Sequence, residues 1–180
     1  MARLHERYKT EIVPSLAEAL NIKNLMAIPR LRKVVVSMGT GSPTQDKNRL
    51  PAATADLAKI TGQKAQIRRA RRAVSNFKTR RGYEVGCRVT LRGARMYEFV
   101  DRLFNAAIPR LRDFRGLNPK SFDGRGNYSM GIPDQSIFAE IDVASIQYNL
   151  GMNITFVTSA QDDAGAKELL TRLGLPLREA

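Results

Sequence analysis

A long segment without a negative charge is the feature that most constrains how this chain can fold. Between Leu57 and Tyr83 the sequence has nine basic residues and no acidic one. They are Lys59, Lys64, Arg68, Arg69, Arg71, Arg72, Lys78, Arg80 and Arg81. Such a segment repels itself when it is alone, and a polyanion neutralises it. Nucleic acid is the commonest cellular polyanion, so the charge pattern favours a nucleic-acid partner over the alternative of a solvated basic face.

The charge of the whole chain is distributed unevenly along its 180 residues. The first 125 residues carry 27 Lys and Arg against 10 Asp and Glu, whereas the last 55 carry 3 against 7. We therefore expect the acidic end to face away from the polyanion or toward a basic protein. One cysteine provides no internal disulfide and fits a reducing cytoplasm. No apolar run approaches the roughly 20 residues that span a bilayer, and the N-terminus lacks an apolar signal-peptide core.

Hydrophobic periodicity predicts an α+β fold, with helices packed on one face of a mostly antiparallel sheet. The predicted helices cover Leu4–Leu20, with an interruption at Pro14, then Leu50–Ile60, Met96–Ala107 and Asp162–Leu173. The predicted strands are Lys33–Met38, Gln63–Arg68, Glu84–Arg92, Tyr128–Ile132, Ile137–Asp142 and Asn153–Ser159. The basic stretch 69–82 has no clear periodicity and is interpreted as a long mobile loop between strands.

The strand Glu84–Arg92 has the clearest alternation in the sequence. Apolar side chains at every second position alternate with polar ones that include Arg88 and Arg92. One face can therefore pack on helices while the other offers cations and hydroxyls to a nucleic-acid backbone. A solvated sheet face is the alternative. The basic residues are predicted on loops and on a sheet face rather than on a recognition helix. This arrangement suits folded RNA better than duplex DNA.

Catalysis has little support in the sequence. His5 is the single histidine, in a terminal helix, where a surface residue is expected rather than a base. Cys87 alternates with valines and is expected in the core. One Cys and one His do not make an ordinary zinc site, so no metal and no cofactor are expected. Phe77 and Tyr83 could stack on a base or ribose, and for Phe77 a small satellite core is the alternative.

Six stretches together resemble one family. They are Arg32–Gly41, 61–64, Ala73–Gly82, Gly86–Gly93, Pro109–Leu117 and Ser121–Gly131. The strings RDFRG and SFDGRGNYSMG are highly specific, and the similarity extends over essentially the whole chain. The sequence resembles the bacterial large-subunit ribosomal protein five family (L5, or uL5).

The resemblance implies a structural constituent of the large ribosomal subunit, with one domain over residues 1–180, a curved sheet and a basic mobile loop at about 69–82. Family members bind 5S ribosomal RNA (rRNA) and help attach it in the central protuberance, beside 23S rRNA and neighbouring 5S-binding proteins. They also contact transfer RNA (tRNA) in the P site and form an intersubunit bridge with small-subunit head protein thirteen (S13). No membrane partner is expected. Another folded-RNA-binding protein or an RNA chaperone is the alternative.

The resemblance also assigns residues. The 5S rRNA-binding residues are Lys33, Ser37, Gln63, Thr90 and Arg92. The tRNA-binding loop residues are Arg71, Arg72, Phe77, Lys78, Arg80 and Arg81. The bridge is placed at Arg110, Arg112, Asp113 and Arg115, with the acidic C-terminal part. Two positions depart from the family: Ser37 stands where asparagine is usual, and Asn76 stands where glycine is usual. Asparagine tolerates left-handed backbone better than most residues, so the loop shape is expected to survive.

Overall fold

The computed structural model describes residues 2–41, 46, 48–111 and 114–178 of this protein. Its strands are β1 (Leu31–Gly39), β2 (Gln66–Arg69), β3 (Glu84–Leu91), β4 (Tyr128–Ile132) and β5 (Met152–Thr158). Its α-helices are α1 (Arg3–Arg7), α2 (Val13–Ala19), α3 (Arg49–Thr61), α4 (Gly93–Arg102) and α5 (Asp163–Arg172). The mixture of helices and strands confirms the predicted α+β class.

These strands form a sheet in the order β2-β3-β1-β5-β4. Strands β2 and β3 are antiparallel, with Gln66 opposite Arg88. The Thr40 N–H, just after β1, donates to the Val85 carbonyl at the start of β3 at 3.2 Å. Because the end of one strand meets the start of its neighbour, this pair is antiparallel as well. The predicted antiparallel arrangement is confirmed.

Alternation along the strands separates an apolar face from a polar one. In β1, Val34 and Val36 are fully buried, whereas Lys33 and Ser37 are half-buried. The alternation predicted for Glu84–Arg92 is confirmed from Cys87 to Leu91, where the apolar positions are buried and the residues between them retain exposure. It does not hold at the start of the strand, where Val85 is half-buried and Gly86 is buried. The apolar face forms the core, which leaves the polar face available to a partner.

The N-terminal helix contains the interruption predicted at Pro14. Between α1 and α2, residues Tyr8–Ile12 form a π-helical turn in which the Val13 N–H bonds to the Tyr8 carbonyl. Proline has no N–H to donate one turn back, so a wider turn just before it accommodates the missing bond. The predicted apolar stripe still faces inward, because Leu4, Ile12 and Leu16 are buried.

The three other predicted helices are confirmed, and the one predicted at Asp162–Leu173 is α5. The helix predicted at Met96–Ala107 begins earlier, at Gly93, and continues beyond α4 as a π-helical segment, Leu103–Ala107. The helix predicted from Leu50 corresponds to α3, and Gly62 follows it in the left-handed conformation (φ 64°) that ends many helices. No helix in the described ranges is long and apolar enough to cross a membrane.

The predicted strand Ile137–Asp142 is wrong. Residues Gln135–Ile137 form a 3₁₀ turn, which the Asp134 carboxylate caps by accepting from the Ser136 N–H at 2.8 Å. The Phe138 and Ile141 N–H groups then bond to carbonyls three residues earlier. Local capping and turn bonds therefore take the donors that a strand would need, although the apolar side chains of the segment are buried as in a strand.

The chain divides into two compact units, each assembled from separate stretches. The first unit comprises Met1–Val34, Leu91–Met130 and Thr155–Ala180. The second unit comprises Val35–Thr90 and Gly131–Ile154. Within the first unit, Phe104 packs against Phe156 of β5 with ring centroids 5.7 Å apart, which places the segment after α4 on the apolar side of the sheet.

Candidate nucleic-acid interface

The basic stretch predicted as an aperiodic loop is a hairpin that continues strands β2 and β3. We call residues 70–83 the basic hairpin. At its base the Ala70 N–H donates to the Tyr83 carbonyl at 2.8 Å, and the Gly82 N–H donates to the Ala70 carbonyl at 3.0 Å. Further out, Val74 and Thr79 exchange two backbone hydrogen bonds of 3.1 and 3.2 Å. The two sides of the hairpin are thus joined by backbone hydrogen bonds that the sequence periodicity did not indicate. The mobility of the hairpin stays a prediction.

The tip of the basic hairpin is a tight turn. The Lys78 N–H donates to the Ser75 carbonyl at 2.9 Å, and Lys78 has a left-handed backbone with φ 50°. The left-handed residue is thus Lys78 rather than Asn76, so the turn does not use the tolerance expected of asparagine. Phe77 is 72% exposed at this tip, which excludes the alternative that it anchors a satellite core.

The cations of the basic hairpin lie at the surface. Arg71, Arg72, Lys78, Arg80 and Arg81 are all exposed. Before the hairpin, Arg69 bonds to the Glu84 carboxylate at 2.9 Å. Arg71, Arg72, Arg80 and Arg81 of the hairpin form no ion pair with a carboxylate of the described residues. Their charge is therefore uncompensated within the protein and available to phosphates.

Two concave surfaces adjoin the basic hairpin. One, of about 560 Å³, is lined by Phe77, Lys78 and Val85 among others. The other, of about 780 Å³, is lined by Ser75, Arg80 and Tyr83 among others. Each combines a cation with an aromatic ring, and this pairing suits a nucleotide, whose phosphate binds the cation while its base or ribose contacts the ring.

The residues predicted to bind 5S rRNA are distributed over both units. In the second unit, Ser37 and Thr90 are half-buried on the polar faces of β1 and β3, and Gln63 is half-buried just after α3. In the first unit, Lys33 is half-buried on β1, and Arg92 is exposed immediately before α4. Each thus retains exposure through which it can contact a partner.

Arg88 was not assigned by the resemblance, although alternation had already placed it on the polar face. It is opposite Gln66 in the register of β2 and β3, so the two side chains share one face. Its Nε atom is buried and has no hydrogen-bond partner in the described part of the chain. An unpaired buried donor costs free energy within the protein. Arg88 as a whole is half-buried, so part of it stays accessible to a partner on the polar face.

The predicted bridge residues are described in part. Arg110 ends a 3₁₀ turn, Ile108–Arg110, and is exposed, as is Arg115. Arg112 and Asp113 lie outside the described residues. The acidic segment of the second unit has Asp142 and Val143 at its surface, with Val143 68% exposed.

The groups that could support catalysis are poorly placed for it. Cys87 is 1% exposed, and burial raises the pKa of its thiol, which disfavours the reactive thiolate. Across the described residues, no group of three or more His, Cys, Asp or Glu side chains could hold a metal ion.

Comparisons with known proteins show that the chain is similar to one family of ribosomal proteins. The family model "Ribosomal protein L5" matches residues 24–80, and the model of the C-terminus of the same ribosomal protein family matches residues 84–177. Proteins named "Large ribosomal subunit protein uL5" are similar over nearly the whole chain. That of Rubrobacter xylanophilus is 53% identical over 178 residues, with 99% of each chain covered. That of Prosthecochloris aestuarii is 50% identical over 179 residues, covering 99% of this chain and 91% of the relative.

The relatives are ribosomal structural proteins rather than enzymes. The chain is accordingly a structural constituent of the large ribosomal subunit, a particle that is cytoplasmic in bacteria. Two family models together cover most of the sequence, and full-length relatives share about half of its residues. The chain belongs to the ribosomal protein L5 family.

Proposed function

We propose that this protein binds 5S rRNA through the polar side chains of its sheet. The residues are Lys33, Ser37, Gln63, Thr90 and Arg92, to which we add Arg88 because it lies opposite Gln66 on the same face. The observation that supports this most directly is the polar face of β3, which carries the half-buried Thr90 and Arg88, the latter with an Nε atom that has no hydrogen-bond partner in the described part of the chain. Hydroxyls and guanidinium groups on a sheet bind the phosphates and 2′-hydroxyls of irregular RNA. Binding there attaches 5S rRNA in the central protuberance, beside 23S rRNA and neighbouring 5S-binding proteins.

The basic hairpin contacts P-site tRNA in this proposal. Its exposed Arg71, Arg72, Arg80 and Arg81 provide charge, and the exposed ring of Phe77 provides a stacking surface at the tip. The backbone ladder limits the number of conformations at the base of the hairpin, so less entropy is lost when the tip binds.

An intersubunit bridge with the small-subunit head protein S13 completes the proposal. Arg110 and Arg115 on one segment, and the acidic surface around Asp142 on another, are the surfaces that it uses. The excess of acidic residues over the last 55 positions suits a basic partner.

Filter binding of a 5S rRNA transcript across a salt series tests the central proposal. If about six cations meet phosphates, the logarithm of the binding constant falls against the logarithm of salt concentration with a slope of roughly −4 to −5. A small basic protein of unrelated fold and a duplex DNA of equal length are the controls. A flat salt response, or equal affinity for the duplex DNA, would contradict specific binding of folded RNA.

A further inference from the structure

A pocket of about 560 Å³ lies within the first unit, away from the basic hairpin. Residues of α1, of the π-helical turn, of β1 and of α4 line it. They are His5, Tyr8, Lys9, Arg30, Leu31, Arg32, Arg92, Gly93, Met96 and Tyr97. Its volume falls within the range of pockets that hold small ligands or single groups of a larger one.

The rim of this pocket is cationic. Lys9, Arg30, Arg32 and Arg92 are all exposed, and no acidic side chain is among the described residues that line it. Two carboxylates near the pocket are paired, Asp101 with Arg3 at 3.1 Å and Glu11 with Arg7 at 3.2 Å. Glu6 of α1 and Glu98 of α4 are exposed and do not line the pocket. Four cations around one concavity repel one another, so an anion that binds between them lowers the free energy.

The floor of the pocket is aromatic and buried. Tyr97 is 5% exposed, and the His5 ring stacks on it with centroids 4.6 Å apart and an interplanar angle of 18°. His5, expected at the surface, is half-buried. The Tyr8 hydroxyl donates to the Pro29 carbonyl at 2.9 Å, which fixes that ring. Burial raises the pKa of Tyr97 to about 12, so its hydroxyl stays protonated and able to donate at neutral pH.

We propose that this pocket binds one phosphate of the RNA, with the ribose or base next to that phosphate lying against the aromatic floor. The ligand class is a nucleotide because the rim provides guanidinium groups for a phosphate while the floor provides rings for a sugar or base. An acidic peptide would use the rim but gain little from the floor. The inference rests on the proposed RNA-binding function and assigns to it Lys9, Arg30 and Arg32, which neither the sequence nor the resemblance had indicated.

The test compares two double variants of equal charge. Arg30→Gln with Arg32→Gln removes two rim cations, whereas Arg125→Gln with Arg178→Gln removes two exposed arginines of the same unit outside the pocket. In filter binding to the 5S rRNA transcript, the rim variant should bind roughly tenfold more weakly, with a salt slope shallower by about 1 to 2. The control should change affinity by less than about twofold. Lys9→Gln is a milder rim variant, and urea unfolding checks that each variant is folded.

Nuclear magnetic resonance on the full chain locates the ligand. Adenosine 5′-monophosphate should shift the ring signals of His5 and Tyr97 in the wild type and not in the rim variant, and inorganic phosphate should shift them less. If a short polyglutamate peptide shifts them as strongly as the nucleotide, the pocket serves an acidic protein segment and the inference is overturned. Equal loss of affinity in both double variants also overturns it. A wild-type protein that ignores 5S rRNA refutes instead the function on which the inference rests.

Discussion

The Asp163 carboxylate at the start of α5 accepts a hydrogen bond of 2.9 Å from the backbone N–H of Gly126. It also accepts one of 3.1 Å from the Gly124 N–H, and the Thr158 hydroxyl donates to the Gly126 carbonyl at 2.7 Å. The turn between Asp123 and Asn127, part of the string that is most specific to the family, is thus fixed to α5 and β5 by side chains far away in the sequence.

Removing the Asp163 carboxylate should destabilise the first unit. Asp163→Ala leaves the part-buried Gly126 N–H without an acceptor, whereas water can accept from the exposed Gly124 N–H, so we expect unfolding free energy to fall by about 1 to 2 kcal/mol. Asp162→Ala is the matched control, because Asp162 occupies the N-cap position without a capping hydrogen bond, and it should cost less than about 0.5 kcal/mol. Urea unfolding followed by circular dichroism measures both. Equal losses in the two variants would contradict the role given to Asp163.

Gly126 and Gly124 form a second matched pair. Both have positive φ, 73° and 79°, so alanine at either position should cost about 1 kcal/mol for the left-handed backbone. At Gly126 the added Cβ would also lie 2.9 Å from the Ala160 carbonyl oxygen, whereas at Gly124 nothing lies within 4 Å. Gly126→Ala should therefore be less stable than Gly124→Ala by a further 1 to 3 kcal/mol or so. Thermal unfolding measures both variants. Equal stability of the two variants would show that residue 126 does not approach the Ala160 carbonyl this closely.

Asp123 should contribute a pH-dependent part of the stability of this turn. Hydrogen bonds from the Asn127 side chain, and from the Asn127 and Arg125 backbone N–H groups, lower the pKa of its carboxyl below the ordinary 3.8. Because the folded-state pKa is lowered, the stabilisation is fully present above pH 3.8 and is lost as the pH falls through the folded-state pKa. Unfolding measured from pH 5 to pH 2 should show a weaker acid dependence in Asp123→Asn. An unchanged dependence would assign the acid sensitivity to other carboxylates.

The two proposed RNA surfaces should be separable by mutation. Arg80→Ala with Arg81→Ala should weaken tRNA binding and spare 5S rRNA binding, whereas Thr90→Ala with Arg92→Ala should do the reverse. Neither pair should change unfolding free energy by more than about 0.5 kcal/mol per substitution, because these side chains are exposed or half-buried. Filter binding with each RNA measures the effect. If both pairs weaken 5S rRNA binding equally, the division into two surfaces is wrong.

Arg88→Ala should lower 5S rRNA affinity without a matching loss of stability. Truncation removes a buried Nε donor that lacks a partner among the described residues, so unfolding free energy should change by less than about 1 kcal/mol. Loss of the positive charge from the polar face of β3 should lower affinity roughly tenfold. Arg69→Ala is the control, since Arg69 is engaged by Glu84, and its effect on 5S rRNA binding should be smaller. A large loss of stability in Arg88→Ala would indicate that the guanidinium has a packing role instead.

Alternation and helical spacing predicted the elements whose burial follows a single period. Strand β3 and helices α3 and α4 were found within a few residues of their predicted bounds, because their apolar residues face one core. The segment Ile137–Asp142 has buried apolar residues as well, but capping by Asp134 bends it into turns. Periodicity indicates which side chains are buried. It does not indicate which groups accept hydrogen bonds from the backbone N–H groups.

The candidate site shows the same division. The concentration of arginines and the polar positions of β3 were evident in the sequence, since charge density and alternation are local properties. The ladder beneath Phe77 was not evident, because Val74 and Thr79 pair without an alternating pattern. Nor was the role of Asp163, whose partners lie 37 and 39 positions away.

The sequence by itself determined the α+β class, the family and the cationic character of the nucleic-acid surface, because each depends on residue type and spacing along the chain. The tertiary structure alone decided that Lys9, Arg30, Arg32 and Arg92 surround one pocket with an aromatic floor. The reason is physical: packing joins α1, β1 and α4 across more than 80 residues of chain, and a sequence pattern has no measure of that distance.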